Sequence, residues 1–140
     1  MEPRLSYLVG RLDRLLRRRL GEALAPHGLS LPEYTALSVL RDRSGLSNAQ
    51  LARRSMITPQ AMNEVVARLE QRGLVRRHSH ASHGRVRPAT LTPAGERVLK
   101  AADRDVDDVE RQMLRGLPGG ARASLRGALN AALRGLRPDE

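Results

Sequence analysis

The chain has 140 residues, of which 40% are hydrophobic and 1% aromatic, and it contains no cysteine. This size predicts one domain, or one core with a dimerisation region, packed mainly with leucine, valine, alanine and methionine. The lack of cysteine excludes disulfides, thiolate metal ligands and thiol-based redox sensing. No apolar run approaches the roughly 18 residues of a membrane span, and the N-terminal segment lacks the apolar core and cleavage site of a signal peptide. We therefore expect a cytoplasmic protein with no membrane partner.

The net charge of +10 is concentrated in the middle of the chain. Residues 46–90 hold 8 basic and 2 acidic residues, against 8 and 5 in residues 1–45 and 9 and 8 in residues 91–140. No acid lies between Gln71 and Gly95. An arginine-rich coding bias could raise the total charge, but it does not explain a segment without acids. A localised basic block of this kind indicates nucleic-acid binding.

The first two predicted helices are marked by apolar spacing and by end signals. Residues 4–25 carry leucine and valine at three- and four-residue steps, with arginines on the other side, and Pro26 and Gly28 end this helix. Residues 30–33 have the pattern of a capping box with proline in the first turn, so a second helix begins there and runs to about Asp42. The residues that it turns inward are Tyr34, Leu37 and Leu40.

Two short helices separated by a tight turn follow. Residues 47–50 repeat the capping-box pattern and begin a helix at 48–55. Residues 58–59 supply an N-cap threonine and a first-turn proline for the next helix, which runs to about Arg72 and is closed by Gly73. Its inward residues at helical spacing are Met62, Val65, Val66 and Leu69. This layout is that of a helix-turn-helix.

A two-stranded hairpin is predicted next, at residues 74–78 and 85–91, with a polar tip that ends in Gly84. A third pair of threonine and proline begins a helix at about 93–115, and the last helix covers 121–136. A helix-turn-helix followed by a basic hairpin is a winged helix. We therefore predict a mainly α fold, a winged helix-turn-helix with a two-stranded β wing and terminal dimerisation helices.

The terminal helices have apolar stripes in excess of what the central unit needs, because that unit already has its own core. Surplus stripes at both chain ends indicate a shared interface, most simply a two-fold homodimer. The alternative is that these helices fold back on the monomer. We divide the chain into an N-terminal dimerisation helix at 1–29, a DNA-binding lobe at 30–92 and C-terminal dimerisation helices at 93–140, without separable domains.

The outward face of the second helix of the motif suits DNA. Its glutamine and asparagine can pair with adenine edges, and its arginine can pair with guanine. The amides at the N-termini of both helices suit phosphates. The alternative is a helical hairpin with a solvated polar face, which occurs in many folds. The predicted contact residues of the motif are Ser47, Asn48, Thr58, Pro59, Gln60, Asn63, Glu64 and Arg68.

Three segments of the chain resemble the multiple-antibiotic-resistance regulator (MarR) family: LARRSMITPQAMNEVVARLEQRGLVRR, the wing tripeptide HGR, and LTPAGERVL. The resemblance is close over residues 30–100, where RLEQRGLVRR and LTPAGE are fairly specific in combination. It implies a winged-helix transcriptional regulator that is dimeric through its terminal helices and binds palindromic double-stranded DNA operators. As in many members, it also implies a repressor released by a small phenolic or anionic ligand, and not an enzyme with catalytic residues.

By position, the recognition helix of the family corresponds to residues 58–72 and its wing to 74–91. The wing-tip arginine that reaches the minor groove corresponds to Arg85. His83 stands where the family commonly has an aspartate that steadies this arginine, and an HGR wing resembles a subset of the family. Met56 stands where the turn often has glycine, and because methionine disfavours positive φ we expect the turn to differ there. The predicted wing contacts are Arg76, Arg77, His83, Arg85 and Arg87.

The resemblance also implies a ligand pocket between the dimerisation helices and the DNA-binding lobe. Tyr7, Tyr34 and Leu37 are the predicted lining. The alternative is that they are core residues and that the tyrosine hydroxyls are satisfied there. His27, alone near a helix end, is expected to be a cap or a solvated residue rather than a ligand.

Three of the four histidines, His78, His80 and His83, lie in the predicted wing. A metal site would need further ligands, but the stretch has no cysteine or acid, and its arginines would repel a dication. We therefore predict no metal and no cofactor, with any pH effect secondary. A phosphate-facing wing is the main interpretation. A non-specific architectural DNA-binding protein and a metal-sensing regulator that uses these histidines remain open as alternatives.

Overall fold

The computed structural model describes residues 1–78 and 87–137. Within these residues, the fold has six α-helices and one two-stranded antiparallel sheet. The elements are α1 (Leu5–Leu24), a 3-10 turn (Ala25–His27), α2 (Leu31–Asp42), α3 (Asn48–Ser55), α4 (Pro59–Gln71), β1 (Val75–Arg77), β2 (Ala89–Leu91), α5 (Pro93–Leu114) and α6 (Ala121–Leu136). This confirms the predicted winged helix-turn-helix, and the helix ends lie within one residue of those expected.

The helices of the central lobe begin where side chains can satisfy the free N–H groups of the first turn. The Ser30 hydroxyl accepts from Glu33 N (3.2 Å) while Glu33 Oε1 accepts from Ser30 N (3.0 Å), and Ser47 forms the same reciprocal pair with Gln50. Thr58 and Thr92 cap α4 and α5 in the same way, without the return bond. These caps fix both helices of the motif in register with the sequence.

Three helix ends turn on a residue in the left-handed conformation: Gly28 (φ 67), Met56 (φ 58) and Gly73 (φ 72). At each, the next N–H bonds the carbonyl five positions back. These bonds are Leu29 N to Leu24 O (3.3 Å), Ile57 N to Ala52 O (3.1 Å) and Leu74 N to Leu69 O (2.9 Å). This is the Schellman pattern. The expectation that the turn would differ at Met56 is wrong, because the methionine adopts the conformation that glycine usually supplies.

The base of the wing is shorter than predicted. Its register pairs Val75 with Leu91 and Arg77 with Ala89, and in the described parts of the predicted strands, 74–78 and 87–91, three residues of each form the sheet. The sheet is tied to the connection between α2 and α3, because Ala89 N donates to Leu46 O at 3.0 Å. The predicted wing tip, with Ser79, His80, His83 and Arg85, lies outside the described residues.

The core joins the motif to the long helix α5. Its fully buried side chains include Leu24, Leu37, Leu40, Leu51, Met62, Val66, Leu69, Val75 and Leu99. The N-terminal part of the apolar stripe of α1 and the stripe of α6 instead stay in solvent, as shown by Leu5 (80% exposed), Leu15 (55%) and Leu133 (53%). Folding back on the monomer therefore does not cover these two stripes. The expectation of a surplus stripe is wrong for α5, because its Leu99, Ala102 and Val106 are buried in the core of the monomer. Over the described ranges, no helix is long and apolar enough to cross a membrane.

Candidate nucleic-acid interface

Helix α4 separates a buried face from a polar outer face. Met62, Val65, Val66 and Leu69 are buried, at most 3% exposed. All the predicted outward residues are exposed: Thr58, Gln60, Asn63, Glu64 and Arg68. The helical spacing of the sequence thus places the hydrogen-bonding side chains of α4 together on one accessible face.

The N-termini of α3 and α4 are fastened to each other. Asn48 Nδ2 donates to Pro59 O at 2.9 Å, so a side chain in the first turn of α3 holds the first turn of α4. Asn48 Oδ1 is buried and has no hydrogen-bond partner among the described residues. Ser47, Asn48, Thr58 and Pro59 therefore cluster at two neighbouring helix N-termini, where partial positive charge favours phosphate. The amide of Asn48 is used within the protein rather than turned freely outward.

The base of the wing adds arginines beside the outer face of α4. Arg76 and Arg87 are exposed and Arg77 is half-buried. Arg77 Nη2 lies 3.5 Å from Asn63 Oδ1, which brings the wing base next to the recognition helix. Among the predicted contact residues of this basic surface, Glu64 on α4 is the acidic one. Such a surface suits a phosphate backbone with base edges between the phosphates.

In the described part of the wing, His78 is hydrogen-bonded to the opposite strand of the hairpin. His78 Nε2 lies 2.8 Å from Thr90 Oγ1 across the hairpin, and His78 N donates to Pro88 O at 2.9 Å. The other two histidines of the proposed metal alternative, His80 and His83, lie outside the described residues, as does Arg85.

The three predicted ligand residues have different surroundings. Leu37 is fully buried, whereas Tyr7 is 58% exposed and its ring lies under the Arg11 guanidinium, 5.9 Å from the ring centroid. Tyr34 is half-buried and its hydroxyl donates to Asp103 Oδ1 at 2.5 Å. Burial and this contact raise the pKa of Tyr34 above its ordinary value. The alternative that these residues belong to the core therefore fits Tyr34 and Leu37 but is wrong for Tyr7. A ligand-binding role for the three residues stays a prediction.

A groove between α1 and α5 was not foreseen from the sequence. It has a volume of about 220 Å³ and is lined by Leu12, Leu15, Leu16, Arg19, Val109, Gln112 and Met113. Arg19 bonds Gln112 across it. The leucine spacing of α1 is the sequence signal for this groove, but the same spacing also predicts a dimer interface, so it does not distinguish the two.

Several polar contacts that join α5 to the rest of the lobe were also missed. Asp103 accepts from Arg41 as well as from Tyr34, and the contact with Asp103 raises the pKa of Arg41. His27 is neither a cap nor solvated, because its Nε2 lies 2.6 Å from Asp105 Oδ2 and its side chain is 19% exposed. These pairs join residues that are far apart in the sequence, so no local sequence pattern predicts them.

A recognition helix with a polar outer face, fastened to a second helix and flanked by a basic two-stranded wing, defines a winged helix-turn-helix protein of the nucleic-acid-binding class. The MarR family model matches residues 27–86. The HTH-type transcriptional repressor Rv2887 of Mycobacterium tuberculosis is 44% identical over 110 residues, which is 79% of this chain and 79% of that protein.

Two crystal structures of Rv2887 have the same fold. The complex with DNA superposes with a TM-score of 0.78 at 35% identity, covering 94% of this chain and 98% of that one. The complex with salicylic acid gives 0.77 at 38% identity, covering 94% and 97%. The chain belongs to the MarR family, a family of dimeric DNA-binding transcriptional regulators and not of enzymes. This confirms the resemblance found in the sequence.

Proposed function

We propose that this chain is a cytoplasmic, homodimeric repressor that binds a palindromic double-stranded DNA operator and releases it when a small phenolic or anionic effector binds. The observation that carries the proposal is the exposed face of α4, with Gln60 and Asn63, beside the basic base of the wing. Amide side chains at these positions suit base edges in the major groove, and the arginines suit the flanking phosphates.

The dimer in this proposal is supported by the exposed apolar stripes of α1 and α6. Leu129 (47% exposed), Leu133 (53%) and Leu136 (88%) would cost free energy if they stayed in water, and a two-fold partner covers them. Two recognition helices related in this way read half-sites about one helical turn apart, roughly 34–36 Å.

The effector in this proposal is supported by Rv2887, which was crystallised with salicylic acid and with p-aminosalicylic acid. Both are small aromatic anions. The α1–α5 groove combines apolar walls with the cation of Arg19, and its volume of about 220 Å³ suits a ligand of that size. Tyr7, Tyr34 and Leu37 stay the alternative lining proposed from the resemblance.

The test begins with selection of duplexes from a randomised double-stranded DNA library by the purified protein. We expect enrichment of an inverted repeat that binds at least about a thousandfold more tightly than random duplex at physiological salt. Addition of salicylate should weaken the selected complex. No enrichment, with a steep salt dependence on every sequence, would instead indicate an architectural DNA-binding protein. An unchanged complex under saturating salicylate would remove this class of effector.

Asn63→Ala tests direct readout by α4. Because the side chain is exposed on the face turned toward the proposed DNA, its loss should reduce discrimination between the selected and random duplexes by about 1–3 kcal/mol. Binding to random duplex should change less, since no charge is removed, although Arg77 loses its contact with Asn63 Oδ1. Equal losses on both duplexes would contradict a base-reading role.

Arg85→Ala tests the wing that the family resemblance assigns to the minor groove. Affinity for the selected duplex should fall by about 1–3 kcal/mol if this arginine reaches base edges. Arg104→Ala, which removes the same charge from an exposed position on α5, is the matched control. If the two variants bind alike, the wing arginine has no special part in the complex.

A further inference from the structure

Arg72 caps the C-terminal end of the recognition helix and reaches back across the lobe. Its Nη1 donates to Gly28 O at 2.6 Å, although Gly28 lies 44 positions earlier in the chain. The same nitrogen lies 3.6 Å from Glu33 Oε2. The side chain of Arg72 is 39% exposed, whereas that of Glu33 is only 10% exposed. The guanidinium of Arg72 therefore binds two groups of the protein itself, the carbonyl of Gly28 and the carboxylate of Glu33.

The family correspondence includes Arg72 in the recognition helix and so would assign it to DNA. It stands four positions after the exposed Arg68 but seven after the buried Val65, at the edge between the outer and the buried face. The structure instead turns its guanidinium toward the link between α1 and α2.

This link is held from two sides at successive residues. Arg72 binds the carbonyl of Gly28, while the side chain of the preceding residue, His27, pairs with Asp105 of α5 at 2.6 Å. Gly28 is fixed in the left-handed conformation (φ 67), and a Cβ there would meet Arg72 Nη2 at 3.1 Å. The link is therefore a short, constrained connection between the recognition helix and the long helix α5.

Glu33 extends the same connection into α2. Its Oε2 faces Arg72 while its Oε1 accepts from Ser30 N, so one carboxylate serves both the arginine and the capping box. The planar guanidinium can serve a carbonyl and a carboxylate together, which the single ammonium of a lysine does less well. The end of α4 and the start of α2 are thus joined through charged hydrogen-bonding groups.

We propose that Arg72 is a positioning residue for operator binding: it fastens the C-terminal end of α4 to Gly28 and Glu33, and so fixes the orientation of the recognition helix relative to α1 and α5. This inference rests on the proposed DNA-binding function. Its consequence concerns geometry, since two recognition helices held rigidly accept one half-site spacing, whereas loosely held helices tolerate several.

The first experiment measures spacing tolerance on the duplex selected by the wild-type protein. A second duplex has one base pair inserted at its centre, which shifts a half-site by about 3.4 Å and rotates it by about 34°. We expect Arg72→Ala and Glu33→Gln each to bind the selected duplex about five- to tenfold more weakly, within the usual range for coupled sites. Their loss of affinity on insertion should be smaller than that of the wild type.

Two further variants separate positioning from charge. Arg104→Ala removes one positive charge from α5 and should keep the wild-type penalty for the inserted base pair. Arg72→Lys keeps the charge at the end of α4. Its loss of affinity on insertion of the base pair should lie between that of Arg72→Ala and that of the wild type. Glu33→Gln keeps an acceptor for Ser30 N and leaves Arg72 in place, so an effect there does not come from a lost phosphate contact. If Arg72→Ala weakens binding but Glu33→Gln keeps the full penalty, the arginine acts on DNA directly and the proposal is overturned.

The second experiment does not involve DNA. Because the chain contains no cysteine, Gln60→Cys gives one spin-label site per protomer, on the exposed face of α4. We expect the distribution of distances between the two labels of the dimer to be broader when Arg72→Ala or Glu33→Gln is added. If both variants give label-distance distributions as narrow as that of the protein with Gln60→Cys alone, the proposal is overturned. If the library yields no enriched duplex, the proposed function fails while the label distances still decide the role of Arg72.

Discussion

Replacement of Met56 by glycine should stabilise the protein. Met56 has φ 58 and closes α3 in a Schellman turn, whereas the equivalent positions after the 3-10 turn and after α4 are Gly28 and Gly73. The same turn thus occurs three times in this fold, twice with glycine, which favours the left-handed conformation, and once with methionine, which does not.

The magnitude follows from three contributions. The left-handed conformation costs an L-residue roughly 1–2 kcal/mol, which glycine avoids. Glycine in turn loses roughly 0.5–1 kcal/mol more conformational entropy on folding. The Met56 side chain is 84% exposed, so little buried apolar surface is lost. We expect a net gain of about 0.5–1 kcal/mol, or an increase of about 2–4 °C in Tm for a chain of this size.

The assay is thermal unfolding followed by circular dichroism at one protein concentration, because dimerisation makes Tm depend on concentration. The matched control is Gly73→Met, since a Cβ on Gly73 meets nothing within 4 Å and the φ of 72° is its main obstacle. That variant should unfold at a lower temperature than the wild type. A Met56→Gly protein with a Tm below that of the wild type would refute the argument, because the methionine side chain would then contribute more than its exposure allows.

Two further predictions concern the packing of α5. Tyr34→Phe removes the hydroxyl that donates to Asp103, and should lower the free energy of unfolding in urea by about 1 kcal/mol. Because the folded state raises the pKa of Tyr34 above 10.0, this stabilisation is fully present below pH 10.0 and is lost as the pH rises further, and the phenylalanine variant should lack that decline. Gly95→Ala would drive a Cβ into the carbonyl oxygen of Leu74 and should cost about 2 kcal/mol or more in the same assay. Gly116→Ala, which meets nothing within 4 Å, should unfold like the wild type, and equal losses in both variants would contradict a steric cause.

The helix starts were predictable because their signals are local. The bonds that cap α2 and α3 join residues three apart, and the hydroxyl and carboxamide or carboxylate that make them stand in the sequence as a pattern. The outward face of α4 was predictable for a related reason, since helical spacing separates Gln60 and Asn63 from Met62 and Leu69 without any knowledge of the neighbours.

The turn at Met56 shows where a local rule was insufficient. Methionine disfavours positive φ, but the preference is of the order of 1–2 kcal/mol. It is outweighed by the bonds from Met56 N to Arg53 O (3.3 Å) and from Ile57 N to Ala52 O (3.1 Å), together with the burial of Leu51 and Ala52. The wing shows a similar limit, because only register with a partner decides how far a strand extends, and β2 is paired with β1 over three residues.

The sequence by itself determined the class of this protein: the capped helix pair, the basic hairpin and the family resemblance all depend on residues close together in the chain. The tertiary structure decided which polar side chains remain available for a ligand and which are used within the fold. Arg68 and Arg72 stand four positions apart at the end of the recognition helix, yet in the described structure it is Arg72 that meets Gly28 and Glu33. Likewise, His27 pairs with Asp105, and Tyr34 with Asp103. Such contacts depend on how α2, α4 and α5 pack, and their distances are properties of that packing rather than of any spacing along the chain.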